Sequence, residues 1–124
     1  MLAVFAALFV SSSCQKISTN NIYGKWKLVK IVLIDSERGK EYEEYVEYEQ
    51  FFTFGRGGKF TLESHGEINE SSFSINGNTL MLSGSAMSQL TIISLTSSEL
   101  VMRWYENDIP SDDEDYYDLF FVKQ

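Results

Sequence analysis

At 124 residues the chain is one domain by length, since two independent cores would need more material. Aromatic residues at 15%, hydrophobic residues at 44% and a single Pro exclude a disordered or collagen-like chain and leave enough apolar surface for a core. The formal net charge of -8 repels phosphate backbones, which sets nucleic acid aside as a partner, and one cysteine excludes an internal disulfide, a four-ligand zinc cluster and a CxxC redox motif.

Residues 1–10 are a nearly unbroken apolar run, followed by Ser11-Ser12-Ser13-Cys14. Nine apolar residues in a helix rise roughly 14 Å, well short of a ~30 Å hydrocarbon core, so the run fits the apolar region of a secretory signal and not a membrane span. The Ser-Ser-Ser-Cys tetrad resembles a bacterial lipobox, in which small residues precede a Cys that becomes the lipidated first residue after cleavage. That resemblance implies a signal peptide over 1–13, a lipidated Cys14 as the link to the membrane, a tether over 14–21 and a folded domain over 22–124. Two other readings stay open: an ordinary secretory signal that ends near a free Cys, and a buried N-terminal helix.

Asn20-Asn21 can open one helical turn before Gly24. Residues 25–34 alternate, with Trp26, Leu28, Val32 and Ile34 on one face and Lys25 and Lys27 on the other, and a bulge near 29–31 would switch the faces. Residues 35–49 carry seven carboxylates; the first half reads as a solvated loop, and the second merges into a strand over 47–54. Gly55-Arg56-Gly57-Gly58 is a hairpin turn, because glycine tolerates positive φ, and residues 59–64 are its partner strand. Residues 65–70 read as polar turn material. Two short strands over 72–75 and 79–82 flank Asn76-Gly77-Asn78, a strong hairpin signal. Strands over 89–95 and 100–106 flank Thr96-Ser97-Ser98-Glu99. An acidic loop over 107–115 then leads to a closing strand over 116–123, where Tyr117, Leu119 and Phe121 alternate. Eight strands with short turns and no sustained helical period make an all-β meander, whose edges are best removed by closing it into an eight-stranded antiparallel up-and-down barrel.

Gly24-Lys25-Trp26 on the first of eight strands, after a short turn, resembles the Gly-x-Trp signature of the lipocalin superfamily. Gly24 to Leu28, the aromatic-glycine hairpin from Phe54 to Phe60, the Ile-x-Gly-Asn-x-Leu element at Ile75 to Leu80 and the Ile-x-x-Leu-Thr-x-x-x-Leu element at Ile92 to Leu100 follow in the same order as in small lipocalin-like domains of Bacteroidetes-type lipoproteins. The resemblance spans 22–123. It implies a barrel closed around Gly24 and Trp26, with an Arg late in the chain packed across the indole, for which Arg103 is the candidate. It also implies a cell-envelope address. Compared with typical lipocalins the chain is short and lacks a C-terminal helix, which argues against a large cavity.

The inward candidates for a ligand-binding wall are Trp26, Phe52, Phe54, Phe60, Phe73, Leu80, Ile92, Met102, Trp104, Tyr117 and Phe121. In an eight-stranded barrel such bulky residues either line a small apolar pocket or fill the interior as core. Residues 35–49 and 106–118 hold fourteen of the eighteen carboxylates. Asp108, Asp112, Asp113 and Asp115 could in principle converge on Ca²⁺, but their spacing matches no EF-hand loop, and a solvated acidic rim that keeps the protein soluble is the preferred reading. The single histidine, His65, suits proton transfer or haem ligation less than a surface turn. With Cys14 taken by lipid and no Ser-His-Asp set, neither an enzyme nor a metal or cofactor is expected. Tyr42, Tyr45, Tyr48, Tyr105, Tyr116 and Tyr117 lie among the acids, as in a surface that docks an envelope protein or a glycan, or as ordinary alternating barrel residues. The expectation is thus a lipid-anchored envelope protein that binds a small apolar or amphipathic ligand, the alternative being a filled barrel that works through its acidic, tyrosine-bearing loops.

Overall fold

The computed structural model describes residues 19–84, 87–105 and 115–124. The signal segment, Cys14 and the acidic residues Asp108, Asp112 and Asp113 lie outside them. Among the described residues a 3-10 turn, Thr19–Ile22, leads into nine strands: β1 Gly24–Asp35, β2 Lys40–Glu44, β3 Gln50–Gly55, β4 Lys59–Ser64, β5 Glu67–Asn76, β6 Thr79–Leu82, β7 Gln89–Leu95, β8 Glu99–Tyr105 and β9 Tyr116–Lys123. All pairings are antiparallel and follow chain order from β3 to β9, and β9 returns to β1. The predicted eight-stranded closure is therefore present, with β2 as a ninth strand beside it. Gly24 and the β3–β4, β5–β6 and β7–β8 turns mark one end, the base. The opposite end, the mouth, carries the β4–β5 turn, the 45–49 link and β2.

β1 serves two neighbours on one edge. Its lower half pairs with β3 (Gly24 to Lys27), and its upper half pairs with β2 (Ile31 to Asp35). Between them the register with β9 slips at Val29, where the bulge was expected. The slip moves Ile31 onto the inner face, where it packs on the core, and turns Val32 outward beside Asp118. Val32 and Ile34 therefore leave the face that Trp26 and Leu28 occupy, because an extra residue in one strand reverses the alternation beyond it.

Two stretches read as loop are strand. All of β2 is exposed, so it carries no burial pattern that a sequence reading could detect; backbone pairing and the tight turn closed by Gly39 hold it. In β5, residues 67–70 continue the ladder to β4, and the turn shrinks to His65 and Gly66, both at positive φ (57° and 76°), the geometry of a two-residue hairpin.

Inside the closure sits one buried cluster, from Ile22 at the base through Trp26, Leu28, Phe52, Phe54, Phe60 and Leu80 to Met102, Leu119 and Phe121. Its rings touch edge to face or tilted: Phe52 lies 5.4 Å from Phe60 and 4.8 Å from Phe121, and Phe54 lies 5.1 Å from Phe73. Each such side chain withdrawn from water contributes about 1.5–3 kcal/mol.

Candidate functional site

At the base the 3-10 turn folds under the barrel because Trp26 holds it there: the buried indole Nε1 donates to the Ile22 carbonyl at 2.8 Å. Lys123, opposite Trp26 in the β1–β9 ladder, places its Nζ 4.5 Å from the indole ring centre and donates to the Asn21 carbonyl at 3.2 Å. Gly24 makes room for it. A Cβ at this position would stand 2.5 Å from the Lys123 Cε, and φ is +126°. The glycine, the indole and a cation thus close the base as one unit.

The cation is Lys123 and not Arg103. Arg103 is on the outer wall, paired through Nε and Nη2 with the two oxygens of Asp118 at 2.8 and 3.1 Å, and its guanidinium lies 4.0 Å from the Tyr116 ring centre. The hydrogen bonds it donates to Asp118 hold the guanidinium above its already high ordinary range, against the opposing effect of burial. A sequence signal for Lys123 did exist: it continues the inward alternation of Tyr117, Leu119 and Phe121 by one more step.

The candidate ligand-binding residues divide into two groups. Trp26, Phe52, Phe54, Phe60, Leu80, Ile92, Met102 and Phe121 are all within 2% of full burial and pack on one another. Phe73, Trp104 and Tyr117 are half-buried against that cluster; Trp104 and Tyr117 stack near the mouth at 5.4 Å with planes 27° apart. The bulky lining therefore fills much of the space between the strands.

Among the described residues two clefts open at the barrel's margins. A cleft of about 290 Å³ opens at the base between the 3-10 turn and the β3–β4 and β5–β6 turns. Ile22, Tyr23, Phe73 and Ile75 give it apolar walls, and Thr19 and Ser74 give it hydroxyls. The Arg56 guanidinium lies 4.4 Å from the ring centre of Tyr23, so a cation stands over one of its aromatic walls. A smaller cleft of about 250 Å³ lies over Phe60, between Lys59 and Glu70. No motif marked the basal cleft beforehand, because three separate turns converge on it.

At the mouth, Tyr45 and Tyr48 are exposed, and the Tyr48 ring meets His65 at 3.8 Å. Tyr42 on β2 is also exposed, whereas Tyr105 and Tyr116 are half-buried and touch each other on the outer wall. Asp115 accepts a hydrogen bond from the Ser36 backbone N–H at 3.2 Å, tying the start of β9 to the β1–β2 turn. Among the described residues no group of three or more His, Cys, Asp or Glu is placed to hold a metal ion.

A family model described as a lipocalin-like domain matches residues 22–102. Among solved structures the chain is similar to the crystal structure of a protein of unknown function, of the DUF3598 family, from Nostoc punctiforme. The two share 11% identity with a TM-score of 0.40, over 88% of this chain and 50% of that one, so this chain spans half the length of its structural neighbour. No curated protein matches it.

Proposed function

This chain belongs to the family of lipocalin-like domains, and from that premise we propose a lipid-anchored envelope protein that takes a small apolar or amphipathic molecule into the basal cleft. A lipocalin-like barrel is in general a ligand-binding fold, and we assign it no catalytic role. The observation that carries the site is the contrast between a packed interior and a 290 Å³ cleft into which Phe73 contributes a half-buried ring. Such a volume is at the small end of ligand pockets, which suits a guest that lays one apolar segment against Tyr23 and Phe73 and leaves its polar end near Thr19 and Arg56. The apolar run over 1–10 and the lipobox-like Ser11 to Cys14 support the anchor. Cys14 is five residues from Thr19, so a lipid there would tether the barrel by the end that carries the cleft.

Titration with an environment-sensitive apolar probe, read by probe emission and by quenching of Trp26 and Trp104, tests the site. Saturable binding is expected, and Phe73→Ala should weaken it at least fivefold with the circular dichroism unchanged. Phe60→Ala, in the filled interior, should instead destabilise the fold by about 3–5 kcal/mol. Binding that Phe73→Ala leaves intact would remove the basal cleft as the site. For the anchor, Cys14→Ser should release the protein from the membrane pellet; a variant still in the pellet sinks that part of the reading.

The exposed Tyr42, Tyr45 and Tyr48 beside the carboxylates of β2 favour a second reading, in which the filled barrel docks an envelope protein or glycan through its mouth. Loss of such docking in a Tyr45→Ser/Tyr48→Ser variant, with probe binding unchanged, distinguishes this reading from the first.

A further inference from the structure

Two arginines of the chain stand over a tyrosine ring, and one of them has a carboxylate where the other has none. Arg103, on the outer wall, lies 4.0 Å from the Tyr116 ring centre and at the same time donates from Nε and Nη2 to the two oxygens of Asp118 at 2.8 and 3.1 Å. The two contacts coexist because a ring is met by the face of a guanidinium and a carboxylate by its in-plane N–H fork. Arg56, on the turn between Gly55 and Lys59, stands over Tyr23 at 4.4 Å from the ring centre. Among the described residues no Asp or Glu pairs with it. Its ring contact is made, and its fork is left to solvent.

The sequence around the cleft accounts for the missing partner. The segments 19–24, 55–59 and 76–79, which meet there, contain no Asp or Glu. Among the described residues the only carboxylate side chain on a basal turn is Glu99, between β7 and β8, and it does not line the cleft. Residues 1–18 contain no Asp or Glu either. In a chain of net charge -8, whose carboxylates crowd β2 and the 45–49 link at the mouth, the base is therefore the end at which an anion meets least repulsion.

We propose that the guest of the basal cleft is an anionic amphiphile whose head, a carboxylate or a phosphate, occupies the N–H fork of Arg56 as Asp118 occupies that of Arg103. The inference rests on the cleft being the binding site and adds the charge of the guest and the residue that reads it. The apolar chain lies against Tyr23, Phe73 and Ile75, and the Thr19 hydroxyl, which lines the same cleft, is a second donor for the head. A freely moving surface arginine gains little from a carboxylate, because water competes and the side chain must be ordered. At Arg56 the Tyr23 ring covers one face of the cation and fixes its position, and burial of the apolar chain brings the head to it. Arg56 is thus a specificity-determining residue, whose removal should cost the anionic guest and spare an uncharged one.

Parinaric acid, whose polyene emission rises in apolar surroundings, and its methyl ester differ only in the charge of the head. Titrated into the full chain at neutral pH, below the concentration at which either probe aggregates and with a reductant to keep Cys14 from cross-linking, the acid should bind at least fivefold more tightly than the ester. Arg56→Gln should remove that preference by weakening the acid alone, with the ester within about twofold of its original affinity, and Arg56→Lys should keep part of it. Phe73→Ala should weaken both probes. Displacement of the acid by dodecanoate and by dodecyl phosphate shows which head fits better, and dodecanol should displace it least; dodecanol as effective as both anions overturns the proposal. Equal affinity for acid and ester, or a preference that survives Arg56→Gln, overturns it too, while a loss of both probes in Phe73→Ala then leaves the cleft standing as the site. Binding of both probes that is indifferent to Phe73→Ala overturns the cleft itself, and the proposal with it.

Discussion

At the base of the barrel Trp26 has no solvent-exposed surface and its one polar atom is satisfied by Ile22, whereas at the mouth Tyr45 is 85% exposed and every residue of β2 faces water. Both ends are aromatic, but the rings are held by different forces. The base is determined by volume and backbone geometry: an indole, a glycine that no side chain can replace without strain, and a lysine threaded between them. The mouth is determined by solvation and charge, and its strand persists on backbone hydrogen bonds alone. Substitutions should therefore cost stability at the base and leave it nearly untouched at the mouth, where any penalty should appear in binding.

The largest effect is expected for Trp26→Ala. It leaves a cavity the size of an indole, strands the Ile22 carbonyl and removes the ring beneath Lys123, which together should cost about 3–5 kcal/mol. Denaturant unfolding measures it. A loss under about 1.5 kcal/mol would mean that the base is no better packed than the mouth.

Next in size is Gly24→Ala, at about 1–3 kcal/mol, from a φ of +126° and a Cβ crowded against Lys123. The two causes separate in a Lys123→Ala background. The far end of a lysine can move aside, so the crowding is cheap and most of the cost should persist there. A cost that vanishes in that background would show that the Lys123 contact, and not the backbone, is what requires glycine.

The same contrast explains what could be read from the chain. Residues that alternate between core and solvent announced themselves: β4, β6, β7 and β9 begin and end where the sequence placed them, since Phe60 and Leu62, Leu80 and Leu82, Leu90 and Ile92, and Tyr117, Leu119 and Phe121 carry a period of two. β2 and the first half of β5 were illegible for the opposite reason. Glu41, Glu43 and Glu44 face water, as do Glu67 to Glu70, and a strand held by its ladder alone carries no hydrophobic pattern. The bulge at Val29 was foreseeable from the misplaced Lys30, but the face it assigned to Ile31 needed the register of β9. The closing cation was assigned to Arg103 by resemblance; pairing puts that residue on the outer wall, where Asp118 engages it, and leaves Lys123 at the inward end of β9. The basal cleft had no signature at all, because it exists only where the turn at Gly58, the turn at Gly77 and the segment at Tyr23 meet.

The smallest expected effect tests the mouth. Tyr45 lies between β2 and β3, in a link where burial contributes little, so Tyr45→Ser should shift unfolding by no more than about 0.5 kcal/mol in either direction. A neutral result carries information because Tyr is an expensive residue to leave in water: an exposed ring that stability does not require is available for a partner. Should the variant instead lose more than about 1 kcal/mol, Tyr45 is packed in solution, β2 is held by more than its ladder, and the division of the barrel into a packed end and a solvated end no longer stands.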